Sequence, residues 1–201
     1  MESRLFDKWD AKGVEVRDSG LAKYISLETK IIPHTFGKKT RKRFEKAKLP
    51  IVERLINKIM RSGQGKRKLS GKFIRGRGST GKKLQAMEIV ERAFEKIEQE
   101  SKQNPIQALI RAIENAAQRE DITRMKKGGI AYTVAVDVAP LKRLDESLKN
   151  IALAAFSGSF NSKKKAWEAL AEEIILAAKG DSKALSIKRR DEVERIAKSS
   201  R

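Results

Sequence analysis

The chain contains no cysteine, which excludes a disulfide scaffold and any thiolate metal site and fits a reducing compartment. Its one histidine, His34, has no second His or Cys to join it in a metal centre. A structural role, or stacking on RNA, suits that residue better. No apolar run approaches the roughly 20 residues of a membrane span. The opening MESRLFDKWD has mixed charge and no apolar signal region, so secretion is not indicated and a cytoplasmic protein is expected. No internal repeat is visible. Catalytic groupings are missing too: there is no cysteine nucleophile and no histidine-based pair, and the carboxylates fall on helix faces beside basic residues. Neither an enzyme nor a cofactor is expected.

What the chain does have is positive charge, unevenly placed. Of a net +20, the stretch from Lys30 to Lys83 supplies +17, with nineteen Lys/Arg against Glu45 and Glu53. The rest is nearly neutral. Such a concentration favours a polyanion, either nucleic acid or an anionic membrane. Membrane binding would need an amphipathic helix with bulky apolar residues opposite the lysines. The basic stretch is instead broken by Gly and Pro, which favours nucleic acid.

The 201 residues, 39% of them apolar, allow one core. Residues 1–37 are expected to form an N-terminal arm, anchored by Trp9, Leu21, Tyr24, Ile25 and Leu27. A helix is predicted from about Pro50 to Ser62, with Ile51, Val52, Leu55, Ile56, Ile59 and Met60 as one stripe. A basic insertion, 63–83, is too rich in Gly and cations to pack a core. Helices follow from about Lys82 to Glu100 (inner face Leu84, Met87, Val90, Phe94, Ile97) and from Asn104-Pro105, where Gln107 resembles the partner of a capping box. Two more follow Pro140 and the Lys163–Lys165 loop, the first ending at Ser157-Gly158 and the second closing at Gly180. The tail 184–201 is expected to hold a last helix that depends on a neighbour for order.

Only one stretch has the period of a strand. Tyr132, Val134, Val136 and Val138 alternate, Ile122 and Thr123 precede them, and Met125-Lys126-Lys127-Gly128-Gly129 offers a turn. A hairpin over 119–138 is expected, its apolar root packed on helices and its basic tip projecting. The fold class is therefore mainly α: a helical body over 38–183 with one protruding β-hairpin and a basic N-terminal extension.

A rival chemistry lies at Gly76-Arg77-Gly78-Ser79-Thr80-Gly81-Lys82, which matches seven positions of the phosphate-cradling P-loop. The eighth must be Ser or Thr to hold magnesium, and here it is Lys83. The strand expected before such a loop is also missing. A flexible basic loop following a phosphate backbone is the plainer reading.

Several runs resemble the universal small-subunit ribosomal protein seven family. They are Leu55-Ile56-Asn57-Lys58-Ile59-Met60-Arg61-Ser62-Gly63, Asn104-Pro105, Gly128-Gly129-Ile130-Ala131-Tyr132-Thr133-Val134, the run from Ala171 to Ala178, and Lys188-Arg189-Arg190-Asp191. The likeness covers roughly residues 38–201. The long arm and the insertion look like the archaeal and eukaryotic branch, and the aromatic C-terminal tail of the bacterial form is absent. The resemblance implies a six-helix bundle with a protruding hairpin that binds the 3′-major domain of small-subunit rRNA and helps organise the head. It further implies a place beside the mRNA exit path, with the tip Arg124, Met125, Lys126, Lys127, Gly128 and Gly129 near exit-site tRNA. Neighbouring head and platform proteins would be partners. Phosphate contacts are expected from Lys38, Lys39, Arg41, Lys42, Arg43, Lys66, Arg67, Lys68, Arg75, Arg77, Lys82 and Lys83, with Arg119, Lys142, Arg143, Lys163, Lys164 and Lys165 added from the body. The alternatives are a general, chromatin-like nucleic-acid binder and a P-loop nucleotide-binding protein.

Overall fold

A computed structural model describes residues 4–38, 42, 44–69, 72–75 and 80–201; at 64–69, 72–75 and 127 the backbone alone is described. The elements run α1 (Ser19–Ala22), α2 (Ile51–Met60), β1 (Gln64–Leu69), β2 (Lys72–Arg75), α3 (Lys83–Ser101), α4 (Pro105–Ala116), β3 (Glu120–Lys127), β4 (Ile130–Asp137), α5 (Pro140–Ser159), α6 (Ala166–Lys179) and α7 (Leu185–Ser199). Six of the helices are long and α1 is a single turn, so the expected helical body with a protruding hairpin is what the chain forms.

Helix α6 is the hub. It packs against α3, α4 and α5, and Ala169, Leu170, Ala171, Ile174 and Ala177 on it are buried. Small residues let the neighbouring axes approach closely. A Cβ on Gly158 of α5 would sit only 3.3 Å from the Ala169 Cβ, so Gly158 is a contact residue within the helix and α5 continues past it to Ser159. Gly180 does end α6, with φ +74° in the left-handed region that glycine tolerates.

The helix ends show which signals are local. The Asn104 side chain accepts from the Ile106 N–H and caps α4. Gln107, expected to complete that cap, instead pairs with the arm: its Oε1 accepts from Glu15 N–H at 2.8 Å and its Nε2 donates to the Glu15 carbonyl at 3.1 Å. The N-terminus of α7 is capped from another helix. Glu173 of α6 is buried and accepts from the N–H groups of Leu185 (3.2 Å) and Ser186 (2.8 Å) and from the Ser186 hydroxyl (2.6 Å). This carboxylate, with buried Ile187 and Ala197, orders the tail.

The arm is built into the core. Leu5, Trp9, Leu21 and Ile25 are buried, and the Trp9 indole donates to Glu98 of α3 at 2.9 Å. Lys8 bridges Glu91 and Glu95 on the same helix.

Two further findings differ from the sequence reading. Leu84 is 80% exposed, because it lies in the first turn of α3, off the face that carries the buried Met87, Val90, Phe94 and Ile97. The basic insertion, which lacks apolar alternation, nevertheless contains the antiparallel pair β1–β2, with a register shift between Gln64 and Lys68. Backbone ladder bonds need no apolar period, so this pair left no signal in the sequence.

The projecting hairpin pairs β3 with β4 in unbroken register from Glu120↔Asp137 to Lys127↔Ile130. Gly128 (φ +59°) and Gly129 (φ +83°) form a two-residue turn in which both residues need positive φ. The root is held by Val138, whose N–H donates to Arg119 O, and by α7, where Glu194 accepts from Arg119 N–H. The expected packing of the ribbon's apolar side on the helices is found only at its base. Val138 is buried, but Tyr132, Val134 and Val136 are exposed, the two valines at 38%. The alternation is real, but beyond Val138 that face is left open to solvent.

Glu173→Ala should therefore cost about 1–3 kcal/mol, because two amides and a hydroxyl lose their buried acceptor, and exchange at amides 185 and 186 should accelerate. Val134→Asp should cost less than about 1 kcal/mol, as exposed substitutions do. Urea unfolding and amide exchange on both variants check this; the reverse ranking would contradict the assignment of buried and exposed faces.

Candidate nucleic-acid interface

The basic stretch is fastened to the body by one buried and one half-buried carboxylate. Glu53, in the first turn of α2, is 2% exposed. It accepts from the Thr35 N–H (3.0 Å), the Thr35 hydroxyl (3.2 Å) and the Lys83 ammonium (2.7 Å). A buried carboxylate is costly unless paired and hydrogen-bonded. Here one such group joins the turn before Lys38, helix α2 and the start of α3, where the basic insertion ends. Lys38 and Lys82, each a few residues from that joint, are exposed.

A second carboxylate gathers cations that the sequence reading did not select. Asp145 of α5 meets Lys46 (2.6 Å), Arg54 (3.3 Å) and Lys58 (3.4 Å). Arg54 is nearly inaccessible and also donates to the Tyr24 carbonyl. Burial alone would raise the Asp145 pKa. The hydrogen bond from Lys46 and the fields of Lys58, Lys46 and Arg54 outweigh it and hold the carboxyl below its ordinary 3.8. Burial also pulls Lys58 below its ordinary value, against the attraction of Asp145. Three cations around one carboxylate leave a positive surplus on the face shared by α2 and α5. No local spacing signals this cluster, since Arg54 and Asp145 are 91 residues apart.

The expected phosphate-binding residues divide into four groups. Lys38, Lys42, Lys82, Arg119, Lys163 and Lys165 are exposed. Lys83, Lys142, Arg143 and Lys164 each make an ion pair within the chain, with Glu53, Asp121, Asp18 and Glu172 respectively. Lys66, Arg67, Lys68 and Arg75 lie on β1 and β2, where the backbone alone is described, while Lys39, Arg41, Arg43 and Arg77 lie outside the described residues. At the hairpin, Arg124 and Lys126 share one exposed face, and Met125 stands on the opposite face with Tyr132 and Val134. The strand runs on to Lys127, so the turn is shorter than expected and holds only Gly128 and Gly129.

The P-loop reading meets a different structure. A strand, β2, does precede Gly76, contrary to expectation, but it belongs to a two-stranded antiparallel pair and not to a parallel sheet flanked by helices. Lys83, at the position reserved for a magnesium-binding hydroxyl, is engaged by Glu53. Among the described residues no group of three or more His, Asp or Glu could hold a metal ion, and no helix is long and apolar enough to cross a membrane.

A helical body whose cations gather on exposed turns, loops and a ribbon defines a basic nucleic-acid-binding protein. The chain belongs to the family described as Ribosomal protein S7p/S5e, whose model matches residues 21–201. It is thus a structural, rRNA-binding component of the small ribosomal subunit, from a family without catalytic activity, and its partners are rRNA and other ribosomal proteins. The match begins at residue 21, inside the N-terminal arm and ahead of residue 38, where the contiguous family-like motifs lead one to expect it.

The Asp145 cluster yields a pH test. Its folded pKa is depressed, so its contribution is full above the unfolded value near 4 and is lost as pH falls through the lower folded value. Asp145→Asn should destabilise by about 2–3 kcal/mol at pH 7, somewhat less than a fully buried pair would. The gap to the parent protein should shrink as the pH falls below the unfolded value near 4. Urea titrations at pH 7 and pH 2.5 measure it, and a gap that stays constant would place the stabilisation elsewhere.

Proposed function

We propose that this protein binds the 3′-major domain of small-subunit rRNA, helps organise the head of the subunit and lies beside the mRNA exit path, with its hairpin tip near exit-site tRNA. Family membership supports the rRNA-binding role, to which the Gly128–Val134 run adds, and the long arm and the insertion support a place in the archaeal and eukaryotic branch. The observation on this chain that carries the reading is the ribbon. Eight residues per strand give it a reach of roughly 25 Å. Its described side chains from Ile122 to Val136 are exposed, apart from half-buried Ala135. An element fastened at one end, basic on one face and apolar on the other, suits contact with a partner across a gap better than stabilisation of its own body.

Two experiments test this. Lys38, Lys42 and Lys82 are exposed, and replacing all three with Gln should flatten the fall of log K with log salt on a 3′-domain rRNA fragment. Each substitution should remove about one unit of slope or less. An unchanged slope would take these lysines off the binding face.

The second experiment shortens the ribbon in register. Removing Arg124–Lys127 together with Ile130–Thr133 leaves Gly128-Gly129 joining Thr123 to Val134, which already pair. The shortened protein should enter small subunits at near-normal stoichiometry, and those subunits should hold exit-site tRNA more weakly or keep reading frame less well. Failure to enter would make the ribbon an rRNA anchor. Normal entry with unchanged tRNA and frame behaviour would leave the tip without the assigned role.

A further inference from the structure

Residues 33–36 form a fastened turn that presents one aromatic ring. Pro33 and Thr35 are buried, His34 is half-buried and Phe36 is 79% exposed. Thr35 is the fastening, held through both its N–H and its hydroxyl by buried Glu53. The His34 N–H donates to the Ile32 carbonyl at 2.7 Å. The Phe36 N–H donates to His34 Nδ1 at 2.8 Å, which sets the imidazole plane and leaves the ring proton to Nε2. The two rings lie against each other, centroids 4.2 Å apart and planes 31° apart. One face of the phenyl ring is thus backed by His34 and the other faces solvent.

The backbone of Phe36 makes this arrangement costly. Its φ is +52°, a region that suits glycine and penalises a bulky side chain. An exposed ring buries too little apolar area to offset that strain. Glycine would fit the turn better, so the fold does not account for phenylalanine here. Strain retained at an exposed, well-fastened position points to a partner.

We propose that the His34–Phe36 pair is a stacking platform for an unpaired RNA base. The partner's class follows from charge. Between Lys30 and Lys48 there are eight Lys/Arg against Glu45 alone. A nucleotide matches both features at once, with a phosphate for the cations and a π-face for the ring. An apolar protein surface matches only the ring. Bases within a duplex are already stacked, so the platform selects single-stranded or bulged nucleotides. The inference rests on the rRNA-binding reading and specifies one contact within it.

The full chain is titrated with an oligoadenylate of about twelve nucleotides, within the usual range of single-strand site sizes, and with an RNA duplex of the same length. Phe36→Ala and Phe36→Gly are expected to weaken oligoadenylate binding about 5- to 150-fold while leaving duplex affinity and the salt slope unchanged. Phe36→Tyr should retain the parent affinity. Phe36→Gly should melt no lower than the parent, since it relieves the left-handed strain. Equal losses on both RNAs with a lowered melting temperature would make the ring structural and overturn the proposal. So would unchanged oligoadenylate binding in every variant; if those variants also fail to enter small subunits, the ring docks on protein. Failure of the parent protein to bind the oligoadenylate would also overturn the proposal, while binding to the 3′-domain rRNA fragment, measured in parallel, tests the proposed function separately.

Discussion

One buried carboxylate, Glu53, carries the junction on which the basic half of the molecule depends. A net +17 confined to 30–83 repels itself, and exposed charges are screened only over about 8–10 Å. Apart from α2, the segment has too little apolar surface to pack on the body. Glu53 solves both problems at one point, pairing with Lys83 and holding Thr35 by two hydrogen bonds. Asp145 does the same for Lys46, Arg54 and Lys58. Each carboxylate sits where α2 meets a neighbour, so the helical body is also the counter-charge that keeps the basic segments folded against it. The cations left exposed beyond these joints are available to phosphate.

The ribbon follows a different logic. An isolated two-stranded hairpin is marginal in water, and this one gains little burial beyond Val138. It is held by an unbroken ladder, a turn whose two glycines both take positive φ, and a root clasped by α7 through Arg119–Glu194 and by Arg201, beyond that helix, through its ion pair with Glu120. Its cross-strand pairs Met125–Tyr132 and Thr123–Val134 stiffen an exposed face without covering it. The tail helix, in turn, owes its start to Glu173. Contacts therefore run in a chain from α6 through α7 to the root of the ribbon.

The elements legible in the sequence are those whose cause lies within a few residues. The apolar stripes of α2, α4, α5 and α6 repeat at helical spacing. Asn104 caps its own helix, Gly180 ends one, and Gly128-Gly129 make their own turn. The family motifs are likewise contiguous runs, and the total charge and its clustering can be counted directly. Those signals were sufficient for a helical, basic, rRNA-binding protein with one hairpin. Tertiary structure decided whatever depends on which surface meets which. Leu84, Val134 and Val136 have the spacing of core residues yet no element covers them, and Gln107 found the arm instead of its own cap. Lys83, Lys142, Arg143 and Lys164 look like free cations in sequence, but each has a carboxylate brought to it by the fold. Conversely, Lys46 and Lys58 became a cluster only because Asp145 arrived from α5, and Phe36 became an exposed, strained ring only because Glu53 holds Thr35 beneath it. Periodicity and turn chemistry are properties of neighbours along the chain. Burial and ion pairing are set between residues far apart in sequence, where a local pattern carries no information.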